Sequence, residues 1–314
     1  MPVSFSVIIP VYNGAATLAR AIESVLGQSR PPSEVIVVDD GSTDETARIA
    51  AAYDRFIKYV RQPNAGVGAA RNAGARIASA EWLAFLDADD WYYRDRLRWH
   101  AEWIERDAML DFLTGDYEYR RADGGLIGRS MERTQSGRAL LVKAKGGPQV
   151  VMEVTDFRAF VEDHFGDTHT LSVRRETFAR LGGYPEGRAV CEDVHFLIRL
   201  CGQSTRVGVI CEPLGVYLIH PKSATRSDPL RSQQLTVETL RSLPPLLRHA
   251  SPQVRRGYRG RLRHARLNHA YALLRRGRRL EALAAVLPSV LESPGAAVLR
   301  DFASIARGCF QAME

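Results

Sequence analysis

No two of the four cysteines, Cys191, Cys201, Cys211 and Cys309, stand in a CxxC pair. Their ten-residue steps fit neither a zinc site nor a dense disulfide framework, and they read as reduced, partly buried thiols of a cytoplasmic protein. No uninterrupted apolar run approaches the ~20 residues that span a bilayer, and no charged-then-apolar leader opens the chain. No GxGxxG follows the first apolar stretch, which argues against a dinucleotide-dependent dehydrogenase. No Lys or Arg follows it before Arg20 either, where a sugar nucleotidyltransferase would want a Gly-rich basic loop. From Thr239 to Leu280 there is no acid at all, while Arg241, Arg248, Arg255, Arg256, Arg259, Arg261, Arg263, Arg266, Arg275, Arg276, Arg278 and Arg279 all fall there. The net charge of +7 is therefore largely a property of the tail. Only Tyr258 and Tyr271 accompany those arginines, so base stacking is poorly served and no nucleic-acid partner is expected. Anionic lipid or a pyrophosphate-linked acceptor fits the charge better.

What the chain does have is 45% apolar and 25% charged residues over 314 positions, the balance of a globular protein with one domain and a smaller appendage. Ser4 to Pro10 and Trp82 to Leu86 read as short buried strands, and Glu34 to Val38 and Phe56 to Val60 as two further strands. Helical periodicity separates them, with Leu18, Ile22, Val25 and Leu26 first and Asn64 to Gly74 later. Ser42 or Thr43 is expected to cap the helix after the second strand. This rhythm implies βαβ crossovers and a parallel sheet. Parallel strands end on one side, so Asp39 and the acids Asp87, Asp89 and Asp90 are expected at the same edge, where open α/β sheets bind ligands. Three acids there repel unless a cation neutralises them, and hard oxygen ligands suit Mg²⁺ or Mn²⁺ shared with substrate phosphates.

Further on, a helix is expected over Arg94 to Asp107, a strand over Asp111 to Tyr119 and a Gly-rich loop over Gly124 to Val150. A strand over Thr170 to Val173, a helix over Arg175 to Leu181 and an apolar helix over Val194 to Leu200 follow. Val207 to Ile210 and Val216 to Ile219 read as two short strands. From Asp228 the pattern is helical. There Tyr258, Leu262, Ala265, His269, Ala272 and Leu273 form a stripe, expected to pack on Leu280, Leu283 and Leu287 of a second stripe that continues to Leu291. The opposite face of the first stripe carries Arg256, Arg259, Arg263, Arg266 and Arg276.

Six motifs in this order resemble the family 2 glycosyltransferases. They are Ile9-Pro10-Val11-Tyr12-Asn13, then Asp39 to Asp44, then Asn64 and Gly66 with Ala70-Arg71-Asn72, then Asp87-Ala88-Asp89-Asp90. Ser172 to Arg175 with Gly182 to Glu186, and Glu192-Asp193 with Arg199, complete the set. The likeness covers about the first 225 residues. It implies an α/β fold of the GT-A type, Rossmann-like, its mostly parallel central sheet flanked by helices, here with a C-terminal all-helical extension. The implied division is a glycosyltransferase domain over 1–227, donor-binding to about 110 and acceptor-binding from 111, and an arginine-rich helical region over 228–314.

The resemblance implies roles as well. Pro10, Tyr12, Asn13, Asp39, Asn64, Arg71, Asp87 and Asp89 would bind a nucleotide-sugar donor, a UDP-sugar before a GDP-sugar because Asp39 could accept from the ring N–H of uracil. Asp87 would take the ribose hydroxyls. Asp89, with His220, would hold Mn²⁺ or Mg²⁺ against the diphosphate. Asp193 would be the base of a single, inverting displacement onto a glycan or lipid-linked saccharide. His195 departs from the pattern, standing where many relatives carry a second acid. Arg71 also reads as an Arg that caps the acids of its own sheet edge, and Glu192-Asp193 as favourable acids at a helix start. The implied setting is cytoplasmic, peripheral on the inner face of the membrane through the basic tail.

Overall fold

The computed structural model describes residues 2–220, 228–292 and 294–310. Its elements in chain order begin with β1 (Phe5–Val11), α1 (Leu18–Leu26), β2 (Glu34–Asp39), α2 (Thr46–Ala51), β3 (Lys58–Arg61), α3 (Val67–Ile77), β4 (Trp82–Phe85), β5 (Trp91–Tyr92) and α4 (Arg96–Arg106). Then come β6 (Phe112–Arg121), β7 (Leu126–Arg129), α5 (Ser130–Arg133), α6 (Gln135–Ala144), β8 (Gln149–Glu153), α7 (Phe157–Glu162), β9 (Ser172–Arg174), α8 (Arg175–Arg180), α9 (Glu192–Gly202) and β10 (Arg206–Ile219). The tail holds α10 (Pro229–Arg241), α11 (Pro252–Leu274), α12 (Arg279–Glu292) and α13 (Ala296–Phe310).

Every residue of β1 is buried, because its alternating side chains enter two cores. Phe5, Val7 and Ile9 pack with Leu18, Ile22 and Val25 of α1 and Leu97 of α4. Ile8 points the other way, toward Ala70 of α3 and Phe85. The sheet runs β3-β2-β1-β4-β9-β6-β10-β5, with β7 on β6 and β8 on β10. β3, β2, β1 and β4 are parallel, so Val11, Asp39 and Phe85 finish at one edge. β9 is antiparallel to β4, pairing Ala84 with Ser172, so the chain that leads into β9 arrives at that same edge. β6 opposes β9 and β10 runs with β6, which sends the end of β10 there too. The ends of β1, β2, β4 and β10 and the approach to β9 thus share one rim.

Several expectations are corrected. Gly124 to Val150 is not a loop: it contains β7, α5, α6 and the start of β8. These are short elements whose stability comes from pairing with β6 and β10 and from the Thr134 cap of α6, not from a periodic pattern. The two strands expected over 207–219 are one, β10, whose register against β6 shifts on either side of Pro213. Neither Ser42 nor Thr43 caps α2, which starts at Thr46 after Glu45. The Ser42 hydroxyl accepts from the Asn13 N–H at 2.9 Å instead, stitching the two rim loops together.

The tail helices join the main core. Leu240, Val254, Tyr258, Leu262 and Ala265 share one cluster with Phe157, Phe160 and Phe196. Of the stripe only Leu273, at its end, is buried in the cluster with α12, where beside Ala270 it meets Ala282 and Val286. Of the stripe expected on α12, Leu283 packs against this cluster, whereas Leu280, Leu287 and Leu291 are exposed. The basic face is also depleted. Arg266 is buried against Glu292 at 2.7 Å, and Arg263 lies 3.7 Å from Glu162 and 3.6 Å from Asp301. Arg255, Arg256, Arg259, Arg275 and Arg276 remain exposed. Among the described residues no helix is long and apolar enough to cross a membrane.

α11 reaches the core by a close approach at Gly257. A Cβ there would lie 2.5 Å from the Arg158 carbonyl oxygen and 2.9 Å from Val161 Cβ of α7. Gly257→Val is therefore expected to cost about 1–3 kcal/mol in urea unfolding, by forcing α11 off α7. Because α11 and the sheet share one core, the wild type should unfold in a single transition. Two separate transitions, with the mutation moving only one, would contradict that shared core.

Candidate active site

Arg71 stands at the middle of the rim. α3 buries it, and its Nη2 donates to Asp87 at 2.6 Å while Nη1 donates to Glu192 at 2.7 Å. The Tyr184 ring covers the guanidinium at 5.1 Å. Burial disfavours the charge, but the Asp87 and Glu192 carboxylates outweigh it and raise Arg71 well above its usual range. Next to it, the Asn72 amide donates to the Tyr184 carbonyl at 2.9 Å and accepts from the Tyr184 N–H at 2.8 Å. These two neighbours on α3 tie the end of β4 to the start of α9.

The β1 and β2 loops form the first wall. Asp39 is fully buried, accepting from the Ser42 N–H at 2.7 Å and the Tyr59 hydroxyl at 2.5 Å. Burial pushes its pKa up, but the Tyr59 and Ser42 hydrogen bonds prevail and hold it below the usual carboxylate range. Asn13 adopts a left-handed conformation at φ 51°, and its carbonyl accepts from the Thr43 N–H at 2.8 Å. Its amide oxygen is thus committed to loop shape. Asp40, not singled out from the sequence, accepts from the Ala65 and Gly66 N–H groups at 2.9 and 2.8 Å and so places the loop that holds exposed Asn64. Pro10 is buried in β1, and Tyr12 is exposed at the mouth.

The β4 acids divide their work. Asp90 turns inward and accepts from the Leu218 N–H at 2.8 Å, which anchors the end of β10. Burial, then the Asp89 and Asp87 charges, raise it well above the carboxylate range. With β10 so held, His220 Nε2 comes within 2.8 Å of Asp89 Oδ2. That contact is a hydrogen bond here, and a carboxylate with an imidazole is a pair that could hold Mg²⁺ or Mn²⁺. Among the described residues no group of three His, Cys, Asp or Glu side chains could hold a metal by itself.

Asp193 opens α9, whose first residue follows Cys191 at φ 67°, and its carboxylate accepts from the Val194 N–H at 2.7 Å. It borders two adjoining cavities. Asp167, at the approach to β9, shares the first of them and hydrogen-bonds to Asp193. Burial, then the Asp193 charge, hold Asp167 well above the carboxylate range, which favours its protonated form. Nothing in the run Gly166 to Thr170 marks Asp167 in the sequence beyond a turn-capping pattern. His195 faces away, with Nε2 3.2 Å from the Ser242 hydroxyl beyond α10. A wall of Tyr117, Tyr119 and Tyr217 stands on β6 and β10, ring centres 4.9 to 6.3 Å apart.

This architecture is the GT-A type. It resembles S. aureus TarS 1-349 in complex with UDP-GlcNAc, at TM-score 0.68 and 18% identity over 98% of this chain and 92% of that one. It also resembles the mannosyltransferase PcManGT from Pyrobaculum calidifontis in complex with GDP-Man and Mn²⁺, at TM-score 0.62 and 19% identity over 100% and 83% of the two chains. The profile of Glycosyl transferase family 2 matches residues 6–169, and the chain belongs to that family. The succinoglycan biosynthesis protein ExoO of Rhizobium meliloti is 32% identical over 227 residues, 71% of this chain and 62% of ExoO. Against three rickettsial proteins called uncharacterized glycosyltransferases, each 36% identical, the chain spans only 19 to 23% of their length.

Asp167 carries a pH signature. The unfolded chain releases this proton near pH ~4, whereas the folded chain retains it, so rising pH above that value costs stability. Between pH 5 and 8 the melting temperature of the wild type should fall relative to Asp167→Asn, which cannot ionise. Parallel melting curves across that range would remove the protonated carboxyl.

Proposed function

We propose that the chain is a metal-dependent, inverting glycosyltransferase that passes a sugar from a nucleotide-diphosphate donor to a hydroxyl of a glycan or lipid-linked saccharide. The observation that carries this is Arg71. Through Asp87 and Glu192 it ties the chain two residues before Asp89 to the residue before Asp193, so donor and base would share one site. In this reading residues 1–110 bind the donor, 111–227 the acceptor, and 228–314 form the helical region.

Pro10 and Tyr12 would flank the base, and Asn13 and Asn64 would shape its loops. Asp39 would accept the ring N–H of uracil in place of the Tyr59 hydroxyl, which favours a UDP-sugar. Asp87 would take the ribose hydroxyls while Arg71 holds it in place. Asp89 and His220 would hold Mn²⁺ or Mg²⁺, which when bound supplies positive charge for the departing diphosphate. Asp193 would take the acceptor hydroxyl proton as that oxygen bonds to the anomeric carbon. The bond to the diphosphate oxygen breaks in the same step, its electron pair leaving with the diphosphate. Asp167, beside Asp193 in the first cavity, would orient the carboxylate. The PcManGT complex with Mn²⁺ and the TarS complex with UDP-GlcNAc support donor and metal classes of this kind.

Two variants separate the roles. Asp89→Asn should lose Mn²⁺-dependent UDP binding in calorimetry. Asp193→Asn should keep that binding and slow transfer to a saccharide panel by about 10²-fold or more, since a base acts in the transition state. Full turnover by Asp193→Asn would move the base elsewhere, and undiminished Mn²⁺-dependent binding by Asp89→Asn would remove the metal site.

Exposed Arg255, Arg256 and Arg259 on α11 fit an anionic membrane surface, each contributing about 1 kcal/mol near such lipid. The protein should co-sediment with phosphatidylglycerol vesicles at low salt and release at high salt, and less so after all three are changed to Gln. Binding that ignores both salt and these arginines would rule the contact out.

A further inference from the structure

Between α9, α10 and α11 lies an open cavity of about 340 Å³, within the ~300–1,000 Å³ range of small-ligand sites. Asp193 is one of its lining residues. Others come from the tail helices: Gln233 and Thr236 of α10, and Arg261, His264 and Asn268 of α11. The amides and hydroxyl offer donors and acceptors in the mixture that sugar hydroxyls need.

Arg261 sets the charge. It is half-buried, and its nearest acceptor is the Glu162 carbonyl oxygen, 3.5 Å from Nη1. No Asp or Glu side-chain oxygen lies within 4.0 Å of it among the described residues. The Glu162 carboxylate is turned to Arg263 and His264, at 3.7 and 3.9 Å, and Asp193 is engaged with the Val194 N–H and Asp167. The field of Arg261 falls instead on Cys191 and His164 at the cavity wall. His164 Nδ1 is buried with no hydrogen-bond partner. Burial, then the Arg261 charge, push that imidazole down to about 3, so it is neutral and can bond a ligand hydroxyl. A half-buried guanidinium without a carboxylate is costly unless a ligand brings the anion, and its planar fork suits carboxylate or phosphate.

We infer that this cavity is the acceptor subsite, and that it selects a saccharide carrying a negative charge, a uronate carboxylate or a phosphate, with Arg261 as the residue that reads the charge. The inference rests on Asp193 acting as the base, because that residue lines the cavity. It makes the tail helices part of the site and gives α10 and α11 a role in specificity.

The probes are methyl β-glucuronide, glucose 6-phosphate and neutral methyl β-glucoside, titrated into the full-length protein with the His164 and His264 ring resonances followed by NMR. The charged sugars should shift both rings and bind at least tenfold more tightly than the glucoside. The better of the two names carboxylate or phosphate as the anion. Arg261→Gln should bring charged-sugar affinity down to the neutral level, and Arg261→Lys should restore part of it. Equal affinity for charged and neutral sugars, unmoved rings with all three, or full charged-sugar affinity in a folded Arg261→Gln would overturn the inference. The Asp193→Asn and UDP measurements read the reaction separately. Their failure beside intact probe binding would sink the transferase mechanism and leave the pocket standing, and the reverse would sink the pocket alone.

Discussion

One buried guanidinium between two carboxylates holds this site together. Arg71 joins Asp87 to Glu192, residues 121 positions from Arg71 at the farther end, in surroundings where an unpaired charge costs several kcal/mol. The pairing works because each group meets the penalty of the others: remove the arginine and two acids face each other beside Asp193 and Asp89. Tyr184 closes the stack over Arg71, and Asn72 holds Tyr184 by its backbone, so the aromatic cover and the ion pairs share one support.

Sheet direction decides what else comes to Arg71. Parallel β1, β2 and β4 bring their acids to one rim, and the antiparallel insertion of β9 brings Asp167 to the same place. Asp90 is used for alignment. By holding the Leu218 N–H it sets the distance between His220 and Asp89, so one acid of the run serves the frame and the one before it meets His220. Buried Arg96 performs a similar service, donating to the Ser172 hydroxyl and the Leu171 carbonyl at 2.8 and 2.6 Å where β9 begins.

The tail is built into this frame. Gly257 lets α11 lie against α7, and Tyr258 and Leu262 enter the core that also holds Phe160 and Phe196. That docking brings Arg261 to the cavity beside Asp193 and turns Arg266 inward to Glu292. The arginine-rich composition thus resolves into three uses: ion pairs inside the helical region, one cation at the cavity, and an exposed set on α11.

Local pattern was enough for the parallel half of the fold. Runs such as SVIIP and EVIVV are buried on both faces, and that burial forces covering helices and a common rim for Asp39, Asp87 and Asp89. The weakly patterned span from 124 to 150 was misread because β7, β8 and α6 form only when β6 and β10 are present to pair with them. The α12 stripe was read only in part, because Ala282 and Val286 take the buried positions beside Leu283 while Leu280, Leu287 and Leu291 face outward. From the sequence alone one could name the acids and their order along the chain. Their partners were a matter of tertiary structure: Tyr59 for Asp39, Leu218 for Asp90, Asp167 for Asp193, and Arg71 for two acids at once. Hydrogen bonds and desolvation act through space over a few ångströms, and the residues that meet at that range here are separated by 16 to more than 100 positions.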